Sequence, residues 1–292
     1  MSKKRETFYF YLFAAPWIIG FIAFMAYPLL MSFYYSFTVY NAVTPPTFTG
    51  LSNYKSIFTE DLFYRSLKAT FYYTCASVPI GLVLSFLFAS LLNKPVPGRT
   101  AFRTFLYFPS MVSGVALSLL WMWIFNSQIG FLNYFLSLFG LKGQMWFQDP
   151  KLAIPSLVIM SLWGLGTNTI VFLAGLQGVP AALYEAALLD GCGPFQRITK
   201  ITLPLIAPVF VFLLITGLIN GFQTFTQAFI MTSGGPSYAT FFYVYYLYQK
   251  AFANYDMGYA SALAWLLMAA VVIITILILR FSDRYTYSEE RK

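Results

Sequence analysis

Long stretches without a single charge alternate with short stretches in which charges cluster. Six uncharged runs stand out, at 7–54, 69–93, 104–141, 152–184, 201–249 and 257–279. Each exceeds the roughly 20 residues that an α-helix needs to cross a hydrocarbon core. A Lys or Asp at the centre of such a helix costs about 2.5–3.5 kcal/mol on insertion scales, so the empty runs carry physical meaning. They predict an all-α integral membrane protein with six transmembrane helices in one domain over 1–292. The spans are expected at about 8–32, 67–92, 104–125, 152–177, 205–231 and 257–279.

The intervening segments read as connections. Pro45, Pro46 and Gly50 mark an outer loop over 38–50. Residues 51–68 alternate apolar side chains with charges, which predicts an interfacial helix leading into the second span. Asn93 to Arg103 forms a short basic turn, and Phe131 to Phe139 a surface helix ended by Gly140. Ser233-Gly234-Gly235-Pro236 demands a tight turn, and the aromatic residues of 238–252 suit a membrane–water interface. Pro16 and Pro28 lie inside the first span, where neighbouring helices can satisfy the freed carbonyls. That span follows Lys3-Lys4-Arg5 but outlasts the 7–15 residues of a signal-peptide core, so it reads as retained.

Lys and Arg set the orientation. With both termini cytoplasmic, the inner segments hold Lys3, Lys4, Arg5, Lys94, Arg99, Arg103, Arg197, Lys200, Arg280, Arg284, Arg291 and Lys292. The outer segments hold only Lys55, Arg65, Lys68, Lys142, Lys151 and Lys250. The net charge of +8 is mostly this bias and does not point to nucleic acid.

Composition removes several chemistries. There is no histidine, and the two cysteines, Cys75 and Cys192, lie far apart in the chain. That leaves no imidazole base, no metal set and no disulfide framework. No Asp or Glu falls within a span, so a proton relay has no carriers. The phosphate-cradling pattern G-x-x-x-x-G-K-[ST] is absent. These absences argue against an integral-membrane enzyme and against an ion-coupled carrier. A transporter of this composition would take its energy from a partner, with no catalytic residue and no bound cofactor or metal expected in this chain.

The segment 181–204 supplies a place for that partner. Ala181, Ala182, Ala186 and Ala187 alternate with Leu183, Leu188 and Leu189 at helical spacing. Gly191 and Gly193 interrupt the pattern, and Pro194 suits the first turn of a second helix. The spacing Glu185-Ala186-Ala187, Gly191, Ile201-x-Leu203-Pro204 resembles the EAA loop of ABC importer permeases. Weaker matches follow in order along nearly the whole chain. Among them are Tyr27-Pro28, Gly50-Leu51-x-Asn53-Tyr54, Phe102-Arg103-Thr104, Phe108-Pro109-Ser110, Phe172 to Gln177, Thr232-x-Gly234-Gly235-Pro236 and Asp256-x-Gly258-Tyr259-Ala260-Ser261-Ala262. The chain resembles a carbohydrate ABC importer permease subunit of the maltose-permease-like, binding-protein-dependent class.

That resemblance implies a type I ABC importer permease fold in a bacterial cell membrane, with 181–204 as a cytoplasmic coupling helix. It implies a second homologous permease in a heterodimer, two cytoplasmic ATPase subunits that hold ATP and Mg, and an extracellular solute-binding protein. Coupling would rest on Tyr184, Glu185, Ala186, Ala187, Asp190, Gly191, Leu203 and Pro204. Matching positions place a sugar pathway at Ser110, Gly114, Trp163, Gly164, Thr167, Gly217, Asn220, Gly221 and Thr224, with Gln227 nearby. Asn220, Thr224 and Gln227 fall on one helical stripe, by steps of four and three. Two readings stay open for them: hydrogen bonding to sugar hydroxyls, or holding helices together. The resemblance implies import of a sugar or oligosaccharide; a glycerophosphodiester is the alternative.

Overall fold

The structure is a computed structural model and describes residues 3–95 and 97–282. Arg284, Arg291 and Lys292, used above for orientation, lie outside the described residues. Among the described residues, three helices are long and apolar enough to cross a membrane unbroken: α1 (Tyr9–Tyr35), α3 (Asp61–Leu92) and α13 (Met257–Ser282). A short helix, α2 (Ser52–Thr59), precedes α3. The interfacial helix expected over 51–68 is therefore split, because Glu60 adopts an extended backbone (ψ 122°).

The other three expected spans are each bent. Arg99–Met111, whose α-helical part is α4 (Arg99–Tyr107), meets α5 (Gly114–Ile124) at 101°. This corrects the continuous span expected over 104–125. Val112 and Ser113 are extended, and the Ser113 hydroxyl accepts from the Ala116 N–H, so a new helix starts there. A surface helix, α6 (Phe131–Leu138), follows, with Gly140 beyond it at φ +70°. The next pair, Pro150–Gly164 and Gly166–Gln177, bends by 51° between α7 (Pro150–Ser161) and α8 (Gly166–Gln177). After α9 (Ala181–Leu189), the segment α10 (Pro194–Leu205) meets α11 (Ala207–Phe222) at 68°. Pro208 has no N–H to give to the carbonyl one turn back, which breaks the ladder there.

The fifth expected span, 205–231, is corrected as well. Its helix ends at Phe222, and a separate helical turn occupies Ala228–Thr232. A short helix, α12 (Tyr243–Tyr248), precedes α13.

Contacts divide the chain into two compact units. The first holds the chain up to Glu60 with Leu247–Ala269. In it, β1 (Thr38–Val39) pairs antiparallel with β2 (Thr47–Phe48), Thr38 opposite Phe48. The buried Asn53 amide donates to the carbonyls of Ser36 and Thr38, both at 2.9 Å. Glu60 holds Lys250 at 2.9 Å and accepts from the Tyr259 hydroxyl, while Lys250 sits 4.5 Å from the centre of the Tyr259 ring. Chain segments almost 200 residues apart in sequence are thereby joined.

The second unit holds Asp61–Tyr246 and the chain from Ala270 on. Here α3 is the central element, packed against α7, α8 and α11. Its inner stripe includes Val78, Leu82, Ala89 and Leu92, which meet Phe172, Leu176 and Leu213 in one apolar cluster. Nearer the start of α3, Tyr73 joins Trp121, Phe125, Leu157 and Phe242 in another.

Asn53→Ala strands two backbone carbonyls at once. A buried acceptor left unmet costs about 1–3 kcal/mol, so the purified protein should unfold at a clearly lower temperature. Asp61→Asn, which breaks an exposed ion pair to Arg65, should leave the midpoint almost unmoved. Equal midpoints for Asn53→Ala and the parent would contradict the role given to Asn53.

Candidate translocation cavity and coupling loop

Within the second unit, α3, α7, α8 and α11 surround a cavity of about 290 Å³. Glycine makes it possible on one side. A Cβ atom on Gly217 would stand 2.9 Å from Val78, and one on Gly221 would stand 2.7 Å from Thr74. These two residues therefore let α11 approach α3 at backbone distance.

The lining is polar and carries no charge. Tyr73 and Ser77 come from α3, Ser161 from α7, Asn168 from α8, Thr216 and Asn220 from α11, and Thr224 and Gln227 from the segment beyond it. The Tyr73 hydroxyl lies among those of Ser161, Thr224 and Ser77. The side-chain amides of Asn168, Asn220 and Gln227 have no hydrogen-bond partner among the described residues. Each amide offers two donors and an acceptor, so the cavity presents free hydrogen-bonding capacity at membrane depth.

Of the residues singled out in sequence, Gly164, Gly217, Asn220, Gly221 and Thr224 line this cavity, as does Gln227. The helical stripe through Asn220, Thr224 and Gln227 is corrected, because the helix ends at Phe222 and Thr224 lies in the break. The Thr224 hydroxyl donates back to the Asn220 carbonyl at 3.3 Å, and the irregular backbone still turns both residues to the cavity. Ser110, Gly114, Trp163 and Thr167 do not line it. The Ser110 hydroxyl donates to the Tyr107 carbonyl at 2.6 Å, and Trp163 packs edge-on against Trp121.

Sequence reasoning missed Tyr73, Ser77, Ser161, Asn168 and Thr216. A signal existed for some of them. Tyr73, Ser77 and Gly81 repeat at steps of four along α3, and Asn168 is the lone asparagine of the uncharged run 152–184.

The loop 181–204 is a helix, a tight turn and a second helix. The end of α9 closes by two backbone bonds, Gly191 N–H to Leu188 O at 3.1 Å and Cys192 N–H to Ala187 O at 2.9 Å. This Schellman closure requires a left-handed residue between them, and Gly191 has φ +73°. The Gln196 side chain accepts from the Gly193 N–H at 3.1 Å and starts α10. The two arms are joined by the Tyr184 and Thr202 hydroxyls, 2.9 Å apart.

The residues expected to act together here divide between two faces. Ala187 is buried, and Tyr184, Leu203 and Pro204 are half-buried, so these four hold the loop's shape. Glu185, Ala186, Asp190 and Gly191 are exposed. Leu189 is 91% and Phe195 77% exposed, which adds an apolar surface that sequence reasoning did not single out.

The chain matches the family of binding-protein-dependent transport system inner membrane components over residues 77–287. It is 38% identical to the "Probable ABC transporter permease protein YesP" of Bacillus subtilis (strain 168), covering 100% of this chain and 96% of that one. It is 31% identical to the arabinooligosaccharides transport system permease protein AraP of the same organism, over 97% and 90% of the two chains. It is 33% identical to the sn-glycerol-3-phosphate transport system permease protein UgpA of Shigella flexneri, over 97% and 98%. Its fold is similar to a chain in the crystal structure of a bacterial ABC transporter involved in the import of the acidic polysaccharide alginate. There the TM-score is 0.85, with 25% identity and coverage of 97% and 98%.

The glycine contact beside the cavity can be checked directly. Gly221→Ala forces Thr74 aside and should cost about 1–3 kcal/mol of stability. Thr74→Ala in the same chain removes the colliding atoms and should recover most of that loss. Thermal unfolding of the two variants decides it: a double variant no better than Gly221→Ala alone would show that Thr74 is not the limiting contact.

Proposed function

Because the chain belongs to the family of binding-protein-dependent transport system inner membrane components, we propose that it imports a neutral sugar or oligosaccharide as one half of an ATP-driven permease. It is a transport subunit with a type I ABC importer permease fold. The observation that carries the substrate reading is the uncharged cavity with unpaired amides from Asn168, Asn220 and Gln227. Sugar hydroxyls both donate and accept, and side-chain amides and hydroxyls match them without net charge. Tyr73 offers an aromatic surface on one wall.

The second half of the pathway is assigned to a homologous permease in a heterodimer. An extracellular solute-binding protein would deliver the ligand, and two cytoplasmic ATPase subunits would bind ATP and Mg and perform all hydrolysis. Both termini then lie in the cytoplasm, and the outward face of 181–204 docks on one ATPase. Glu185 and Asp190 would supply charge at that contact, and Leu189 and Phe195 apolar area. Closure of the ATPases would pull on α9 and α10 together, since the Tyr184–Thr202 contact joins them. The loop would thus move as a rigid body and carry α8 and α11 with it.

A second reading, import of a glycerophosphodiester, is favoured by the likeness to the glycerol-3-phosphate permease. A phosphate inside the membrane calls for Lys or Arg, and the cavity has neither.

Three outcomes are expected in proteoliposomes holding the complete transporter. Asn220→Leu should lower uptake roughly five- to hundredfold, the rate equivalent of a lost partner at about 1–3 kcal/mol, with assembly unchanged. Normal uptake with poor assembly would instead assign Asn220 to helix packing. Gly191→Val puts a β-branched residue at a left-handed position and should abolish both transport and substrate-stimulated ATP hydrolysis while the chain stays in the membrane. Finally, excess glycerol 3-phosphate should not compete with a neutral oligosaccharide for uptake; efficient competition would sink the neutral-sugar reading.

A further inference from the structure

A second cavity, also of about 290 Å³, opens where the end of α3 meets the loop 181–204. Its polar wall consists of Ser90, Asn93, Lys94, Tyr184, Arg197 and Thr202. Among the described residues no acidic side chain lines it. Neither Lys94 nor Arg197 has an ion-pair partner among the described residues. The Arg197 Nε is buried and makes no hydrogen bond. A guanidinium donor withdrawn from water without an acceptor is costly, so the cavity is built for an anion.

The donor set narrows the choice. A guanidinium, an ammonium, an asparagine amide and hydroxyls converge on one space. Such a set suits a group with several acceptor oxygens, which phosphate is. The rest of the lining narrows it further. Phe86, Leu176 and Ile198 are apolar. Leu87 and Leu91, on the same closing turns of α3, stand 50% and 59% exposed along a membrane-spanning helix. A cationic end beside an apolar wall at a helix terminus fits an amphiphile, and basic pockets between helices at a membrane face are lipid-headgroup sites elsewhere.

We propose that this cavity binds a phosphate oxyanion supplied by the headgroup of an anionic phospholipid, and that the lipid ties the coupling loop to the end of α3. Lys94 belongs to α3's exit and Arg197 to the second arm of the loop, with Tyr184 on the first. One phosphate therefore touches all three segments, and membrane composition acts on the element that would transmit movement from the ATPase.

The test uses the full-length permease assembled with its partner subunits, purified in mild detergent and loaded with phosphatidylcholine, with or without phosphatidylglycerol. Native mass spectrometry should show phosphatidylglycerol retained in preference to phosphatidylcholine. Lys94→Gln should weaken retention about fivefold, and Lys94→Gln with Arg197→Gln more than tenfold, at roughly one cation's contribution each. Lys142→Gln, in an outer loop, should change nothing. Lys94 is exposed, so its variant tests the site even where Arg197→Gln fails to accumulate. A parallel arm measures thermal stabilisation by inorganic phosphate. Stabilisation by phosphate that Lys94→Gln abolishes, without lipid retention, overturns the lipid source and leaves the oxyanion site. Equal retention by parent and Lys94→Gln, with no phosphate effect, overturns the proposal. So does a photocrosslinker at Ser90 that captures an acidic segment of the ATPase.

Discussion

The close approach of α11 to α3 at Gly217 and Gly221 is the constraint on which the second unit depends. With Val78 and Thr74 standing where side chains would otherwise be, the two helices touch at backbone level along one line. Van der Waals packing of this kind, through small residues, is what holds helices together where hydrocarbon offers no hydrophobic contrast. The same approach fixes where the helices part. Next to the glycine line, Ser77, Thr216 and Asn220 turn into open space rather than into each other, and the polar cavity is the result. Packing and cavity share one helix pair.

Breaks in the helices complete that cavity. Gln227 and Thr224 reach it because α11 stops at Phe222, and Gly164 reaches it at the bend between α7 and α8. Irregular backbone at membrane depth is tolerated only where protein or a water-filled space satisfies the freed groups. Here the Thr224 hydroxyl meets the Asn220 carbonyl, and the Thr169 hydroxyl meets the Leu165 carbonyl at 2.9 Å just past the bend. These two breaks thus sit beside the polar cavity.

Charge spacing and glycine position were readable from residues alone because each obeys a local rule. A run without charge marks a membrane-crossing segment wherever its tertiary partners lie, and Gly191 marks a left-handed turn by lacking a Cβ atom. The bends were not readable in the same way. Pro109 and Pro208 lie next to bends, yet Pro79 and Pro155 sit inside the unbroken helices α3 and α7. Whether a proline kinks a helix depends on what packs around it, which is long-range information. The cavity lining shows the same division. Asn220 and Gly221 stood out in an apolar run, whereas Tyr73 and Ser161 became part of the site only through neighbours nearly 90 residues away in sequence. Ser110 and Trp163 show the converse, being polar or aromatic at suggestive positions but engaged with their own helix or with Trp121.

The absence of charge inside the spans and the rigidity of the loop 181–204 are two sides of one design. Under the proposed function, a pathway without carboxylate or imidazole groups cannot draw on a proton gradient through its own residues, so force would arrive from outside. A loop that receives force has to resist bending more than the helices resist moving. The Schellman closure at Gly191 and the Tyr184–Thr202 contact give it that stiffness without a large core. Both anchor into helices that line the cavity: α9 follows α8, which carries Asn168, and α10 leads into α11, which carries Asn220. A displacement of the loop as one piece would therefore move the two asparagine-bearing helices together.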